Sequence, residues 1–548
     1  MTDSNRLRAI DLYSGMGGWS LGLNMAGIEV VASYEWWSKA ARTNKVNNGH
    51  VACEVDIREL ALEDLPENID IVVGSPPCTQ FSFANRGGQG NIEDGLRDVE
   101  KFLEIVEYVK PKFWAMENVP RTADIITQRL RSGGTLERFS KLLPNIIVVD
   151  MSEWGLPQGR KRCIIGNFDI GLLYGYQRLT KQRHLRDVVE ALDKAVIYDP
   201  IYGIRLSRNQ LTDHRVEDYL SVEEARLNRE GKAHHPIYNN MSFPDLLDRP
   251  SRTITATCTR VSRESIVIED LESHGRYRRL SVRERGCLQG FPITYQFYGD
   301  SYAEKLKMIG NAVPPLMTFY IAQAMLERRP DDVLTPREAI KRFNPPSEQP
   351  ALTLPDKPGS VYPRQRRFRL AIPGLRFKSG VRFELSNESA QAEITWSVGF
   401  YFGDSKNIQR IDLNDDLLSD LQRDTALANS VKQIAATCDA VRDALLRTNS
   451  KELQNTWTHV SKKGTHPFDI VDRLGRLASD LEQNFENQSV DASAVLLGVL
   501  QDRERGINKI LRHSNAVLAG LFVGSAANSV LHTDQFLSGE RVRRVRAN

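Results

Sequence analysis

Short aliphatic and β-branched runs alternate with helix-period segments through the first half of the chain. The predicted strands are residues 8–13, 28–34, 69–74, 112–118, 145–150 and 162–168. Between two of them, "DVEKFLEIVEYVK" at 98–110 places apolar residues three and four apart, which is typical of an amphipathic helix. This alternation predicts an α/β fold with a mostly parallel, doubly wound, Rossmann-like sheet. Ligands bind such sheets beyond the carboxyl ends of the strands.

The pattern changes twice further along the chain. The alternation breaks between residues 168 and 278, and again after residue 330. Residues 344–364 are rich in proline and predict an extended linker. Period-2 runs and then helical runs follow, at 381–385, 394–402, 415–446 and 471–485. We therefore expect a small antiparallel sheet and helices in a second, α+β domain.

Length and charge add general limits. A chain of 548 residues is too long for one ordinary core, so at least two domains are expected. The net charge of +3, from 73 basic and 70 acidic residues, means that a polyanion would need a local basic patch. The longest strongly apolar stretch, 516–524, is shorter than the ~20 residues of a membrane helix. With no signal-peptide core at the N-terminus, we expect a cytoplasmic protein without a membrane segment.

Six scattered cysteines include one in an unusual setting. None belongs to a C-x-x-C pair, so neither a metal site nor a disulfide framework is predicted. Cys78, in "GSPPCTQFS", follows a predicted strand and two prolines that stiffen the loop. A thiol at such a strand end beside basic groups can become a nucleophilic thiolate. A half-buried structural cysteine is the alternative.

A glycine-rich segment, "DLYSGMGGWS" at 11–20, follows the first predicted strand. Gly15 and Gly17 allow a sharp turn and close approach to a ligand, and Tyr13 offers a flat face. Glu35, after the second strand, can accept hydrogen bonds from ribose hydroxyls, and Asp56 could accept one from an adenine amino group. Together these residues favour an adenosine-containing cofactor, although the glycines alone could form a plain tight turn.

Four further motifs complete a recognisable order. They are "ENVP" (117–120), "GLPQGRKR" (155–162), "RLSVRERGCLQGFP" (279–292) and "MIGNAVPP" (308–315). With the glycine-rich and Pro-Pro-Cys segments, they resemble the C5 cytosine DNA methyltransferases over about residues 6–328. The resemblance implies an S-adenosylmethionine-dependent methyltransferase domain, a target-recognition region, a linker and an accessory domain. The expected boundaries are 1–167 and 279–328 for the catalytic domain, 168–278 for recognition, 329–364 for the linker and 365–548 for the accessory domain.

The resemblance also implies roles for individual residues. Cys78 would be the nucleophile, and Glu117 would contact the ring nitrogen and exocyclic amine of the target cytosine. Arg160 would contact the cytosine carbonyl and the catalytic loop. Arg162 would order the site, and Gln158 would order the approach to that site. The implied S-adenosylmethionine positions are Tyr13, Gly15, Gly17, Glu35, Trp36, Asp56, Ile57 and Asn311. Trp36 would stack against adenine.

The implied partner is double-stranded DNA, bound by a monomer that flips the target base out of the duplex. "RPSRTITATCTR" resembles the recognition-region threonine motif, so Arg252, Thr253 and Arg260 are candidate DNA contacts, with Ser82 in the catalytic loop. Solvated loop arginines are the alternative reading. The segment "NRGGQGN" at 85–91 is typical of a mobile lid.

One departure and two alternative functions stay open. The family usually has glutamine directly after the nucleophile, whereas here Thr79 precedes Gln80, which puts the loop contacts in doubt. The alternatives to a DNA (cytosine-5-)-methyltransferase of a restriction-modification or defence system are a tRNA cytosine-5 methyltransferase and an inactive DNA-binding regulator. The tRNA branch has a Cys-Phe-Thr segment that this chain lacks. The C-terminal domain would be an accessory that could bind a restriction or defence protein.

Overall fold

The computed structural model divides the chain into two compact units, Met1–Pro358 and Gly359–Asn548. The structure describes residues 6–81, 90–233, 241–362, 365–390, 393–404, 407–446, 448–500 and 506–545. The units are called unit 1 and unit 2 below.

A seven-stranded sheet forms the centre of unit 1 in its described part. Its strands are β1 (Arg8–Leu12), β2 (Glu29–Tyr34), β3 (Val51–Cys53), β4 (Ile71–Gly74), β5 (Phe113–Asn118), β6 (Asn145–Asp150) and β7 (Lys161–Gly166). The strand order is β3-β2-β1-β4-β5-β7-β6, and only β7 runs antiparallel to its neighbours. After β1 the chain adds β2 and β3 on one side of that strand, and it then adds β4 on the other side. A ligand crevice is expected where the strand order reverses in this way, at the carboxyl ends of β1 and β4. The predicted doubly wound, Rossmann-like fold is confirmed.

Helices cover both faces of this sheet. Those of unit 1 are α1 (Gly18–Ala26), α2 (Ser38–Asn48), α3 (Ile92–Val109), α4 (Arg121–Arg129), α5 (Ile170–Gly175), α6 (Leu185–Asp193), α7 (Val222–Ala233), α8 (Val282–Leu288), α9 (Tyr302–Asn311), α10 (Pro315–Met325) and α11 (Pro336–Ala339). In β4, Ile71 and Val73 pack in the same core as Trp19 of α1, whereas Val72 packs with Phe102 of α3. Burial on both faces explains why these strands are continuous apolar runs.

Helix α3 begins six residues earlier than the predicted helix at 98–110. Its first turn, "IEDG", has one apolar residue and carries no apolar period, but the Asn91 side chain accepts a hydrogen bond from the Asp94 backbone N–H at 3.2 Å. This N-cap starts the helix where the hydrophobic pattern alone gives no signal.

Small elements occupy the predicted recognition region and the segment after the catalytic motifs. Two antiparallel ribbons are formed by β8 (Val196–Tyr198) with β9 (Arg205–Ser207), and by β10 (Val267–Glu269) with β11 (Tyr277–Arg279). Within the predicted linker at 329–364, Ile340 and Phe343 are buried in the unit 1 core, and Phe343 stacks on Tyr295 with ring centroids 5.8 Å apart. That part of the segment is therefore integrated into the core of unit 1.

Unit 2 has a four-stranded antiparallel sheet in the order β12-β13-β14-β15. The strands are β12 (Arg369–Arg376), β13 (Arg382–Ala390), β14 (Glu393–Asp404) and β15 (Asn407–Ile411). The helices are α12 (Asp415–Gln422), α13 (Val431–Leu445), α14 (Ser450–Trp457), α15 (Pro467–Asn487), α16 (Ala492–Val499), α17 (Ile507–Leu511) and α18 (Ser514–Val545). The window Ser514–Leu531 of α18 is long and apolar enough to cross a membrane, but 78% of it is buried inside the structure. This burial is typical of the central helix of a domain core.

Candidate active site

Cys78 lies in a short turn beyond the carboxyl end of β4. The Ser75 N–H donates to the Leu12 carbonyl at 3.2 Å, which continues the pairing of β1 and β4 past their ends. The Phe81 N–H donates to the Cys78 carbonyl at 3.0 Å, and the Phe81 side chain is completely buried. The thiol is thus held in a turn that is anchored on both sides.

Glu117 and Arg162 are brought together by strand pairing. Glu117 is near the end of β5, and the antiparallel register pairs it with Ile164 of β7. Arg162 lies two residues from Ile164 and hence on the same face of the sheet as Glu117. The Arg162 Nε is 2.8 Å from the Glu117 Oε1, and the two side chains are only 14% and 9% exposed. The arginine therefore orients the carboxylate within a largely dehydrated site.

Arg160 has a different environment from the one predicted. Its guanidinium is buried and donates to three backbone carbonyls, those of Ile254 at 3.1 Å, Gly310 at 3.3 Å and Ala312 at 3.0 Å. These bonds join the Q-x-R-x-R segment to the predicted recognition region and to the "GNAVPP" segment. The guanidinium that contacts the Glu117 carboxylate belongs to Arg162, so Arg162 is better placed than Arg160 for the predicted contact with cytosine.

Electrostatic effects show that four predicted residues share one site. Burial raises the pKa of the Cys78 thiol, the positive charges of Arg162 and Arg160 lower it, and the Glu117 carboxylate raises it. Burial is the largest of these influences, so the pKa lies above the ordinary value of 9.0. The prediction from sequence counted the basic neighbours but not the loss of water around the sulfur. In this structure the neutral thiol is the favoured form.

Asn118 is a site residue that sequence reasoning missed. Its side-chain amide donates to the Pro76 carbonyl at 3.1 Å, and its Oδ1 accepts from the Val119 N–H at 2.8 Å and the Thr122 hydroxyl at 3.0 Å. These bonds tie the Cys78 turn to the end of β5. The only signal in the sequence was its place beside Glu117 in the quoted "ENVP" segment.

The glycine-rich turn after β1 is shaped by backbone conformation and one carboxylate. Gly15 and Gly17 have φ angles of 53° and 92°, in the left-handed region that favours glycine. The Glu35 carboxylate is buried and accepts from the Gly15 N–H at 2.9 Å and the Trp37 N–H at 2.8 Å. Burial raises the pKa of Glu35. A Cβ on Gly18 would lie 2.0 Å from the Val313 carbonyl oxygen, so glycine there lets the two cofactor motifs meet.

The region around this turn fits a ligand with hydroxyl groups and a flat ring. The Trp36 side chain is 72% exposed, and the Ser14 hydroxyl is buried without a hydrogen-bond partner among the described residues. A Cβ on Gly15 would meet nothing within 4 Å, so the turn borders open space. The other predicted cofactor residues differ in exposure: Asp56 and Asn311 are exposed, whereas Ile57 and Tyr13 are buried. Tyr13 therefore offers less open surface than predicted.

The predicted DNA contacts have internal partners. Arg252 donates to both carboxylate oxygens of Asp245, at 2.5 and 3.0 Å, and the Thr253 hydroxyl donates to the Gly159 carbonyl at 2.7 Å. Arg260 is 5% exposed and forms a two-pronged ion pair with Glu224 at 2.7 and 2.9 Å. Contrary to the prediction, Arg260 is not displayed to a partner, because its guanidinium is buried in contacts within the predicted recognition region. Ser82 and most of the predicted lid lie outside the described residues.

Comparisons with known proteins match the first half of the chain. A family model described as C-5 cytosine-specific DNA methylase matches residues 7–327. The type II methyltransferase M.HindV of Haemophilus influenzae is 30% identical over 335 residues, covering 58% of this chain and 96% of the relative. M.AplI of Arthrospira platensis is 30% identical over 337 residues, covering 60% and 88%. A crystal structure of S. pombe Dnmt2 methyltransferase shares 16% identity over 59% of this chain and 99% of that one, with a TM-score of 0.42.

The matched region spans more than half of the chain and coincides with the segment in which the ordered motifs occur. The matched region contains Cys78, Glu117, Arg160 and Arg162, which lie close together at the edge of the sheet. Members of this family use S-adenosylmethionine, in keeping with the glycine-rich turn beside them. The resemblance inferred from the motifs is thereby confirmed, and the chain belongs to the C-5 cytosine-specific DNA methylase family.

Proposed function

We propose that this protein transfers a methyl group from S-adenosylmethionine to C5 of a cytosine flipped out of a specific duplex DNA sequence. The observation that carries the proposal is the joint placement of Cys78, Glu117 and Arg162 at the sheet edge that also carries the glycine-rich turn. A thiol and an oriented carboxylate are the two groups that addition to a pyrimidine ring requires. Flipping is needed because C5 cannot be reached inside the duplex.

In the proposed reaction the Cys78 thiol gives its proton to solvent water, and its sulfur forms a bond to C6 of cytosine as the C5–C6 π bond breaks and its electrons shift towards N3. Glu117, held by Arg162, delivers a proton to N3 and accepts a hydrogen bond from the exocyclic amine. The added proton neutralises the ring electrons displaced onto N3, so that C5 becomes nucleophilic. Bound S-adenosylmethionine supplies an electrophilic methyl group. Loss of the C5 proton to solvent water, departure of Cys78 as a thiolate and return of the N3 proton to Glu117 then restore the neutral aromatic ring. Because burial raises the pKa of the free thiol, its ionisation is the step most dependent on the neighbouring charges.

The cofactor would be held by residues that follow β1, β2 and β3. Glu35 would accept hydrogen bonds from the ribose hydroxyls with the lone pairs that its two backbone contacts leave free. The exposed ring of Trp36 would stack on adenine, and Asp56 would accept its amino group. Gly15 and Gly17 would let the backbone approach the ligand closely.

The biological role is proposed from the relatives. Both curated relatives named above are type II methyltransferases. We infer that modification by this protein acts in the cytoplasm as part of a restriction-modification or defence system, with the chain bound to DNA as a monomer. Unit 2 would be an accessory domain for a protein partner of that system.

The decisive experiment measures tritiated methyl transfer from S-adenosylmethionine to unmethylated plasmid DNA and to total tRNA. Label in DNA and none in tRNA supports the proposal, and bisulfite sequencing then identifies the target sequence. A duplex of that sequence with 5-fluorocytosine at the target should form a permanent adduct with the wild-type protein and none with Cys78→Ser. If label appeared in tRNA alone, the substrate would be tRNA and the proposal of a DNA substrate would be refuted. Absence of label from both, in protein that binds the cofactor, would favour the inactive regulator.

A further inference from the structure

An arginine next to the proposed adenine site holds two carboxylates of α3. The Arg58 Nε and Nη2 donate to the two oxygens of Asp98 at 2.9 and 2.7 Å, and its Nη1 donates to Asp94 at 3.1 Å. The Asp98 side chain is only 8% exposed. A two-pronged, charge-assisted pair with one partner buried fixes both distance and orientation. Arg58 therefore locks its own turn onto the first two turns of α3.

Both proposed cofactor segments converge on the same helix. Arg58 directly follows Asp56 and Ile57, and its N–H donates to the Asp56 carboxylate at 3.0 Å within a short 3-10 turn. From the glycine-rich side, the Tyr13 hydroxyl is 3.2 Å from the Asp98 carbonyl and 3.3 Å from its carboxylate. A shift of the Tyr13 segment or of the Asp56–Arg58 segment would therefore displace Asp98.

The same helix turn supports the nucleophile from the other side. Gln80, two residues after Cys78, accepts from the Asn91 N–H at 2.9 Å and donates to Asp94 at 3.4 Å. A Cβ on Gly95 would lie 2.8 Å from the Phe81 ring and 2.9 Å from the Gln80 Cβ. Glycine there allows the turn to pack directly against the helix. Gln80 is also the glutamine that occurs one place later than in the family pattern.

We propose that the first two turns of α3, Asn91–Asp98, couple occupancy of the cofactor site to the position of Cys78. Arg58 and Gln80 are the positioning residues at the two ends of this connection, and Asp94 is the carboxylate they share. The helix is a rigid element, so a displacement at Asp98 is transmitted to Asp94 and Gln80. Coupling of this kind is reciprocal: a ligand that stabilises one end stabilises the other. The inference rests on the proposed function only in placing the cofactor beside Tyr13 and Asp56.

The test needs no DNA. Alkylation of Cys78 by iodoacetamide is followed by peptide mass spectrometry with and without saturating S-adenosylhomocysteine, with Cys258 as the internal reference. In the wild type the ligand should change the Cys78 rate by about fivefold or more. Arg58→Ala and Gln80→Ala should each bring this ratio towards one, and Arg58→Lys should give an intermediate ratio. Equilibrium dialysis confirms saturation for every variant.

A matched control is available on the same helix. Arg97 is 4.0 Å from Asp94 but 73% exposed, so Arg97→Ala should keep the wild-type ratio. If Arg58→Ala and Gln80→Ala bind the ligand and retain the wild-type ratio, the coupling is refuted while the methyltransferase proposal stands. If the wild type does not bind S-adenosylhomocysteine, both proposals fail. Intact coupling without methyl transfer to any nucleic acid would refute only the proposed function.

Discussion

Replacing Asp11 by asparagine should remove a large pH dependence from the stability of unit 1. The Asp11 carboxyl is completely buried in β1, and its Oδ2 accepts from the Ser20 N–H at 3.1 Å and the Ser20 hydroxyl at 2.7 Å. Its Oδ1 has no partner among the described residues. Burial, assisted by the nearby Glu35, raises the pKa of Asp11 from 3.8 to about 7.

The magnitude follows from this shift. About 3 pH units correspond to about 4 kcal/mol, at about 1.4 kcal/mol per unit. Because the pKa is raised, the native state favours the protonated acid. Its contribution is fully present below pH 3.8, falls as the pH rises and is lost above about pH 7. Asparagine keeps an oxygen for Ser20 and cannot ionise, but its amide adds a buried donor whose lack of a partner costs about 1–3 kcal/mol. We therefore expect Asp11→Asn to be about 1–3 kcal/mol more stable than the wild type at pH 8.

The assay is urea-dependent hydrogen exchange of β1 peptides at pH 5, 6, 7 and 8, corrected for intrinsic exchange, which reports on unit 1 alone. The free energy of unfolding should fall with pH in the wild type and in Asp331→Asn, a control at an exposed position. The Asp11→Asn variant should show a shallower slope, with the remainder due to Glu35, whose pKa is also raised by burial. Equal slopes in Asp11→Asn and wild type would refute the reasoning.

Three further predictions concern the site and the domain boundary. Glu117→Gln removes the charge that raises the pKa of Cys78 and leaves both arginines in place. The variant should lose methyl transfer, but the pH dependence of Cys78 alkylation should move to lower pH. A move to higher pH would contradict this prediction. Arg162→Lys should lower kcat for methyl transfer at least about tenfold with little change in cofactor affinity, because lysine cannot reproduce the planar guanidinium contact; equal losses in both would argue against a positioning role. A fragment of residues 1–358 should fold. A fragment of residues 1–330 lacks the buried side chains that follow α11, so its free energy of unfolding should be lower by roughly 3–6 kcal/mol. Thermal unfolding compares the two fragments, and similar stabilities would refute this packing.

Strand positions could be predicted from sequence because most strands are continuous runs of aliphatic and β-branched residues, and the central strands β1, β4 and β5 are buried on both faces. The predicted run 145–150 coincides with β6, and 112–118 differs from β5 by one residue. The start of α3 could not be predicted in the same way, since a side-chain cap and not an apolar period begins the helix. Local hydrophobicity reports where a segment is buried and gives little information on how it ends.

The roles of the two arginines in the Q-x-R-x-R segment depend on strand register. Both have the same chemistry, and spacing alone does not say which of them meets Glu117. The antiparallel pairing of β5 with β7 places Arg162 on the carboxylate's face, while the chain before β7 turns Arg160 towards the backbone carbonyls of two distant segments. A shift of one residue in that register would turn Arg162 to the other face of the sheet. The chemistry of the site therefore depends on one non-local pairing that no sequence motif encodes by itself.

The same argument applies to the thiol. The sequence places basic residues near Cys78, and their charges do lower its pKa, but packing of the turn against α3 and β5 removes the water that would stabilise a thiolate. Loss of water destabilises the thiolate more than the positive charges of the two arginines stabilise it, and the negative charge of Glu117 opposes part of the arginines' effect. Reactivity at this sulfur is thus set by how tightly the turn is packed as well as by which charges surround it. The Asn118 side chain bonds to the turn at Pro76, and the Asn91 N–H bonds to the turn at Gln80, so residues outside the Cys78–Glu117 pair contribute to the packing that raises the pKa of the thiol.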